Sequence, residues 1–187
     1  ELYGIYEHEA AYAEDDDARV ELFVEMAELA KTKLSSPELR KEALEDAYDV
    51  RGADLDIVEP LLDAYIEAGE YDRAEPLLES TIETLRDDRQ MQEVVRFEHL
   101  RGKLAEEKGD LEAAKEAYEA AHKIDATYIP NLLSLGKLAV TRENWEYGLK
   151  IFQTLLLHQM SIEESQRKVD LYYNLGLVRQ HLDDERR

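Results

Sequence analysis

The apolar residues of this chain recur at spacings of three and four, in short blocks broken by Gly, Pro, Asp and Ser. The clearest block is residues 100–125, LRGKLAEEKGDLEAAKEAYEAAHKID. It predicts two short amphipathic helices with a tight turn between them. Gly109 suits the left-handed backbone that ends the first helix. Asp110 can cap the second by accepting a hydrogen bond from its free N–H groups. Leu111, Ala114, Tyr118 and Ala121 then share one face, while Glu112, Lys115, Glu116 and Glu119 lie off it as a solvated surface. Ala114 and Ala121 are small, which lets a neighbouring helix approach closely. Two short helices cannot bury such a stripe by themselves, so stacked neighbours are required, as in a solenoid.

The same punctuation predicts the rest of the chain. Residues 1–13 read as one helix, the second of a pair. Asp15-Asp16-Asp17 supplies a cap and turn before helix 18–33, with Leu22, Met26, Leu29 and Ala30 inward. Ser36-Pro37 restarts the chain, and helix 37–50 ends near Arg51-Gly52. Asp54 or Asp56 caps a helix carrying Leu61, Leu62 and Tyr65, and Asp56 with Glu59 has capping-box spacing. Gly69 ends that helix, and Tyr71, Ala74, Leu78 and Ile82 face inward on the next. A longer helix follows Asp87-Asp88 and runs to Lys108. Pro130 opens a helix through Leu132, Leu135 and Leu138, and Trp145, Leu149 and Phe152 face inward on its partner. Ser161-Ile162-Glu163-Glu164 is a capping box for a last helix with Tyr172, Leu175 and Val178 inward. The expected organisation is one solenoid over 1–187. It has a lone helix at 1–13, helix pairs over 18–52, 54–86, 88–125 and 127–160, and a lone first helix over 161–182. The chain opens inside a helical pattern at Glu1 and stops just after a helix, so a piece of a longer protein is expected.

Composition agrees with an all-α chain: 8 Gly, 4 Pro and 36% charged residues in 187. With no cysteine, disulfides, cysteine nucleophiles and thiolate metal sites are excluded. The apolar runs are short, so no membrane insertion is expected. With no signal-peptide pattern either, the expected location is the cytoplasm. The net charge of −21 argues against nucleic acid as a ligand. The charge is uneven: −12 over residues 1–60, −9 over 61–125 and zero over 126–187. This reads as a solubilising surface, or more pointedly as a docking face for a basic partner on the first two-thirds.

Catalytic patterns are lacking. There is no Walker A sequence, GxSxG, GxGxxG or HExxH, and His8, His99, His122, His158 and His181 fall at no metal-ligand spacing. No catalytic residue, metal or cofactor is expected.

Aligning the first helix of each pair at a junction residue gives Glu28, Leu62, Gly102, Gly136 and Gly176, spaced 34, 40, 34 and 40. A 34-residue helix–turn–helix period marks tetratricopeptide repeats. The chain resembles that family through Leu135-Gly136, Leu175-Gly176, Tyr65, Gly69, Gly109, Tyr71, Trp145, Ala74, Ala114, Tyr118, Phe152 and Ala121. It departs at Glu28 and Leu62 (commonly Gly), Arg40 (commonly Ala), Glu143 (the turn Gly) and Ala126 (the closing Pro).

The resemblance implies an all-α, right-handed α–α superhelix of about ten helices without a sheet. It also implies a concave groove lined by the first helices. Residues directly after the junction would point into it: Leu29, Asp63, Lys103, Lys137 and Leu177. So would those three before it: Glu25, Glu59, His99, Leu133 and Tyr173. One turn further on lie Thr32, Ile66, Glu106, Val140 and Gln180. The groove would thus be acidic near Glu25, Glu59 and Asp63, carry Lys103 and Lys137 in the middle, and turn apolar toward Leu133, Val140, Tyr173 and Leu177.

The expected function is a non-enzymatic scaffold binding a peptide or helix there. Its partner-binding residues would be His99, Lys103, Leu133, Lys137, Val140, Tyr173, Asn174 and Leu177. On the plainer reading, Leu133, Val140 and Leu177 pack between helices and the lysines are only solvated. Some members of the family hold a C-terminal carboxylate with Lys, Asn and Arg. Lys137 and Asn174 resemble part of that set, but acidic residues at comparable places in earlier repeats argue against carrying the function over. Two alternatives remain: a regulatory arm of a larger enzyme, and self-association through the open last helix.

Overall fold

The computed structural model describes the backbone of residues 2–158 and 165–184, with side chains over 2–158 and 168–183. It contains α1 (Leu2–Tyr12), α2 (Asp16–Leu29), α3 (Pro37–Arg51), α4 (Leu55–Glu67), α5 (Tyr71–Asp87), α6 (Met91–Glu107), α7 (Leu111–Ile124), α8 (Ile129–Thr141), α9 (Trp145–Leu157) and α10 (Ser165–Asp184). No strand occurs among the described residues, and no helix there is long and apolar enough to cross a membrane.

The helices start and stop where local chemistry dictates. Side chains of Asp15, Ser36, Asp54, Asp110 and Asn144 each accept a hydrogen bond from a free N–H group of the helix that comes next. Four helices end in one hydrogen-bonding pattern. The N–H groups of Glu70, Gln90, Asp110 and Asn144 reach back to the carbonyls of Tyr65, Leu85, Ala105 and Ala139 at 2.8–2.9 Å. The residue before each donor is left-handed: Gly69 (φ 71°), Arg89 (φ 60°), Gly109 (φ 78°) and Glu143 (φ 56°). Two turns have the expected Gly, and two force a side chain into the same conformation.

Several expectations need correction. Asp54, not Asp56, caps α4, because its carboxylate accepts from the Asp56 N–H. Asp87 ends α5 rather than preceding α6, which starts at Met91 after Arg89. In α2 the buried small residue at the junction is Ala27, while Glu28 is exposed. Val20, Met26, Ala27 and Ala30 form the buried side, with Leu22 and Leu29 only half-buried. The helix then widens into a π turn over Ala30–Leu34, which breaks the 3.6-residue count. On α9, Gly148, Ile151, Phe152 and Leu155 are buried, and Trp145 and Leu149 are half-buried. On α10, Leu171 takes the inward place expected of Tyr172, which is 54% exposed. The capping box at Ser161–Glu164 lies outside the described residues.

The chain divides into two compact units, residues 1–84 and 85–187. In the first, Val20, Ala47 and Ile57 form a buried cluster with Phe23, Tyr48 and Val50 against it. Charged links tie α3 to α4, to α5 and to the turn between them: Arg40 to Glu67 at 2.7 Å, Lys41 to Glu70, and Glu45 to Arg73 at 2.6 Å. The Arg73 guanidinium also lies 4.6 Å over the Tyr65 ring. Burial and the nearby Glu45 raise the Tyr65 phenol to about 12.

In the second unit a continuous core runs through Tyr118, Leu132, Leu135, Phe152, Leu155, Leu171, Leu175 and Val178. Its helix spacing is set by glycine. A Cβ on Gly102 would overlap the Tyr118 ring, and one on Gly136 would stand 2.7 Å from Phe152 Cε1. Thus α6 accepts an aromatic ring from α7, and α8 accepts one from α9.

Candidate functional site

Every residue proposed for partner binding falls in the second unit, on α6, α8 and α10. There α8 touches both α6 and α10. The structure sorts these residues by exposure. Lys103 and Lys137 are exposed, and Tyr173 is 69% exposed. Leu133 is buried, Val140 packs against the core, and Leu177 is half-buried, as packing between first helices would have them.

His99 is half-buried between aromatic rings, 5.5 Å from Tyr118 and 5.8 Å edge-on to Tyr128. Burial lowers its pKa to about 4. The neighbouring Lys103 charge adds to the shift, and Asn131 opposes it in part. Its imidazole is therefore neutral at pH 7, and Nδ1 is buried without a hydrogen-bond partner. Asn131, fully buried, donates to the Tyr118 carbonyl at 2.9 Å and so fastens α8 to α7. The Tyr118 hydroxyl donates to Glu106 at 2.5 Å, and burial pushes its pKa up.

Next to His99, the Glu98 carboxylate is fully buried. Arg86 reaches its Oε1, and Arg101 approaches its Oε2 at 2.7 Å. Burial nonetheless outweighs both cations and raises the Glu98 pKa. The Arg101 approach lacks hydrogen-bond direction, which leaves Oε2 unsatisfied.

Lys137 is held by Asp170 of α10 at 3.2 Å, whereas Lys103 makes no ion pair among the described residues. Asn174 spends its amide on the Asp170 carbonyl one turn back, at 2.8 Å. Asp170 is the residue the sequence reading missed. It lies on the same stripe as Tyr173 and Leu177, and extending that stripe one turn toward the N-terminus would have found it. Among the described residues, the exposed part of this face therefore presents Lys103 without an ion pair, the Lys137–Asp170 pair and Tyr173. The acidic residues expected further along, Glu25 and Asp63, are exposed on α2 and α4 of the first unit, and Glu59 is half-buried there.

A separate cleft of about 460 Å³ opens at the start of α6, lined by Met91, Val95, Arg96, Ile124, Asp125 and Tyr128. It holds none of the predicted residues. Among the described residues, no three His, Asp or Glu side chains gather where a metal could sit.

No protein-family model matches the chain, and no curated protein is similar to it in sequence. Its fold does match solved structures. The apo form of RapI superposes with a TM-score of 0.71 at 14% identity, covering 97% of this chain and 77% of RapI. A putative kinesin light chain from Podosopora anserina with TPR-like repeats gives 0.68 at 14% identity, covering 93% and 91%. YrrB, described as a TPR protein with an unusual peptide-binding site, gives 0.60 at 12% identity, covering 98% and 84%. The chain therefore has the all-α, tetratricopeptide-like helical-repeat fold.

Proposed function

We propose that this chain is a non-enzymatic protein-interaction scaffold, and that the face of α6, α8 and α10 takes an acidic peptide or helix. One observation carries the reading. Lys103 is exposed and unpaired among the described residues, on the helix next to the Lys137–Asp170 pair, with Tyr173 exposed beyond them. An acidic group on the ligand would pair with Lys103 and compete with Asp170 for Lys137. Tyr173 offers a large, stiff surface for an apolar anchor. The peptide-binding site of YrrB, on a similar fold, lends support.

The test uses a fluorescent peptide with two leucines and a Glu-Glu pair, titrated at low salt. Reversing both lysines (Lys103→Glu with Lys137→Glu) is expected to weaken binding at least about tenfold. Unchanged affinity with helicity intact rejects the site.

A further inference from the structure

We propose that a small pocket between α7, α8 and α9 binds a phosphomonoester group, carried by a phosphorylated side chain of a partner or by a free small phosphate. The pocket measures about 170 Å³. Its apolar part is Leu135, Leu138 and Ala139 of α8, all buried. Its polar part is Lys115 of α7, Arg142 just past α8, and Asn144 and Tyr147 at the start of α9. Each of these four can donate a hydrogen bond, and two are cations. The chain has 44 acidic and 23 basic side chains, yet no carboxylate lines this pocket. With nearly two acids for every base, charges scattered for solubility alone would favour a carboxylate here.

The donors are held in place but not used up. The Arg142 guanidinium gives one N–H to the Leu111 carbonyl at 3.3 Å and one to Glu112. It has five, so three remain. Lys115 stands 3.9 Å from Glu119, at the outer edge of ion-pair distance. Asn144 caps α9: its Oδ1 accepts from the Tyr147 N–H at 3.3 Å, which leaves the amide nitrogen to donate elsewhere. Tyr147 is half-buried, and its hydroxyl makes no hydrogen bond among the described residues. Because α9 begins here, the partial positive charge of its N-terminus adds to the two cations. Glu112 and Glu119 of α7 balance those cations without lining the pocket, so an anion enters by competing with them.

Four donors from three elements suit a group with three outer oxygens and up to two negative charges. A phosphomonoester has these and a carboxylate does not. Size sets the rest. Sites that enclose a drug-sized ligand measure roughly 300–1,000 Å³. At about 170 Å³ the pocket has room for the phosphate and a short stem against Leu138 and Ala139, not for a nucleotide. None of its lining residues belongs to the peptide face proposed above.

The test titrates inorganic phosphate and a capped Gly-phosphoserine-Gly peptide into the full chain at about pH 7.5, where the group is a dianion. NaCl holds the ionic strength near about 0.1 M, and amide NMR shifts in the first turn of α9 are the readout. Saturable shifts are expected over residues 144–148. Lys115→Gln with Arg142→Gln should weaken binding at least about tenfold. Lys103→Gln with Lys137→Gln removes two charges as well, but elsewhere, and should leave binding unchanged. Tyr147→Phe deletes only the hydroxyl, keeps the ring packing, and should weaken binding about threefold. A phosphoserine peptide that binds tighter than inorganic phosphate assigns the pocket to a phosphorylated partner, and equal or weaker binding assigns it to a free phosphate. No saturation up to about 10 mM of either probe, or equal weakening by the two double variants, overturns the proposal. Should Lys115→Gln with Arg142→Gln lose helicity, Tyr147→Phe decides alone, and unchanged affinity there overturns it.

Discussion

His99 is a residue whose surroundings set its chemistry. With its pKa lowered to about 4 in the folded chain, against an ordinary 6.5, it binds fewer protons folded than unfolded between those two values. Its stabilising contribution is complete above pH 6.5 and is lost as pH falls toward 4. The shift corresponds to at most roughly 3.4 kcal/mol. Urea midpoints measured from pH 7 to pH 4 should therefore fall more steeply for the natural chain than for His99→Phe. Glu98, with its raised pKa, acts in the opposite direction, but it is common to both proteins and cancels in the comparison. Parallel pH curves would sink this account. At the turn between α8 and α9, Glu143 holds φ 56° in the place where α4 and α6 are followed by glycine. Glu143→Gly is expected to raise stability by about 1 kcal/mol, read as a higher urea midpoint. An unchanged or lower midpoint would mean the turn is not strained. Here the sequence was legible where one residue settles the matter: Gly109, Ser36 and Asp110 act as read. Asp170 was not legible as a partner of Lys137, because that pair depends on how closely α8 and α10 approach.

At the scale of elements, the two kinds of junction glycine make opposite predictions for one substitution. Gly102→Ala drives a methyl into the Tyr118 ring, and overpacking of this kind costs about 1–3 kcal/mol. Gly176→Ala meets open space and should gain roughly 0.5–1 kcal/mol from helix propensity. Thermal unfolding of the two variants side by side checks both signs. Losses of similar size at both positions would mean that ring packing does not set these junctions. The same elements mark the limit of periodicity. α10 carries two apolar stripes, one through Leu171, Leu175 and Val178 and one through Val169 and Tyr172. Spacing reveals that each stripe shares a face, but not which stripe the core will cover, and so Tyr172 was misplaced. On α2 the π turn over Ala30–Leu34 shifts the count by part of a turn, and no glycine marks the junction, so Ala27 was passed over for Glu28. Where a glycine and its aromatic partner are both present, as in α6–α7 and α8–α9, the packing could be read directly.

At the scale of the molecule, charge separates the two units. Residues 1–84 hold 25 acidic and 7 basic side chains, a net of −18, while residues 85–187 hold 19 and 16, a net of −3. Salt acts on the first unit in two opposing ways. It screens ion pairs such as Arg51–Asp17 and Arg73–Glu45, and it screens the repulsion among the excess carboxylates. Exposed pairs of this kind contribute at most about 1 kcal/mol each. Two like charges 10 Å apart in water repel by about 0.4 kcal/mol, and 18 uncompensated charges on 84 residues form many more such pairs than there are bridges. Repulsion wins, so salt should stabilise the first unit and leave the second nearly unchanged. The single Trp, Trp145, lies in the second unit, so its fluorescence tracks that unit, whereas far-UV circular dichroism tracks the helices of both. Raising NaCl from about 0.01 M to 0.1 M, which shortens the screening length from about 30 Å to 10 Å, should move the dichroism midpoint upward. The Trp145 midpoint should stay in place. A dichroism midpoint that fails to rise, or a Trp145 midpoint that rises equally, would show that the acidic excess of residues 1–84 does not govern their stability.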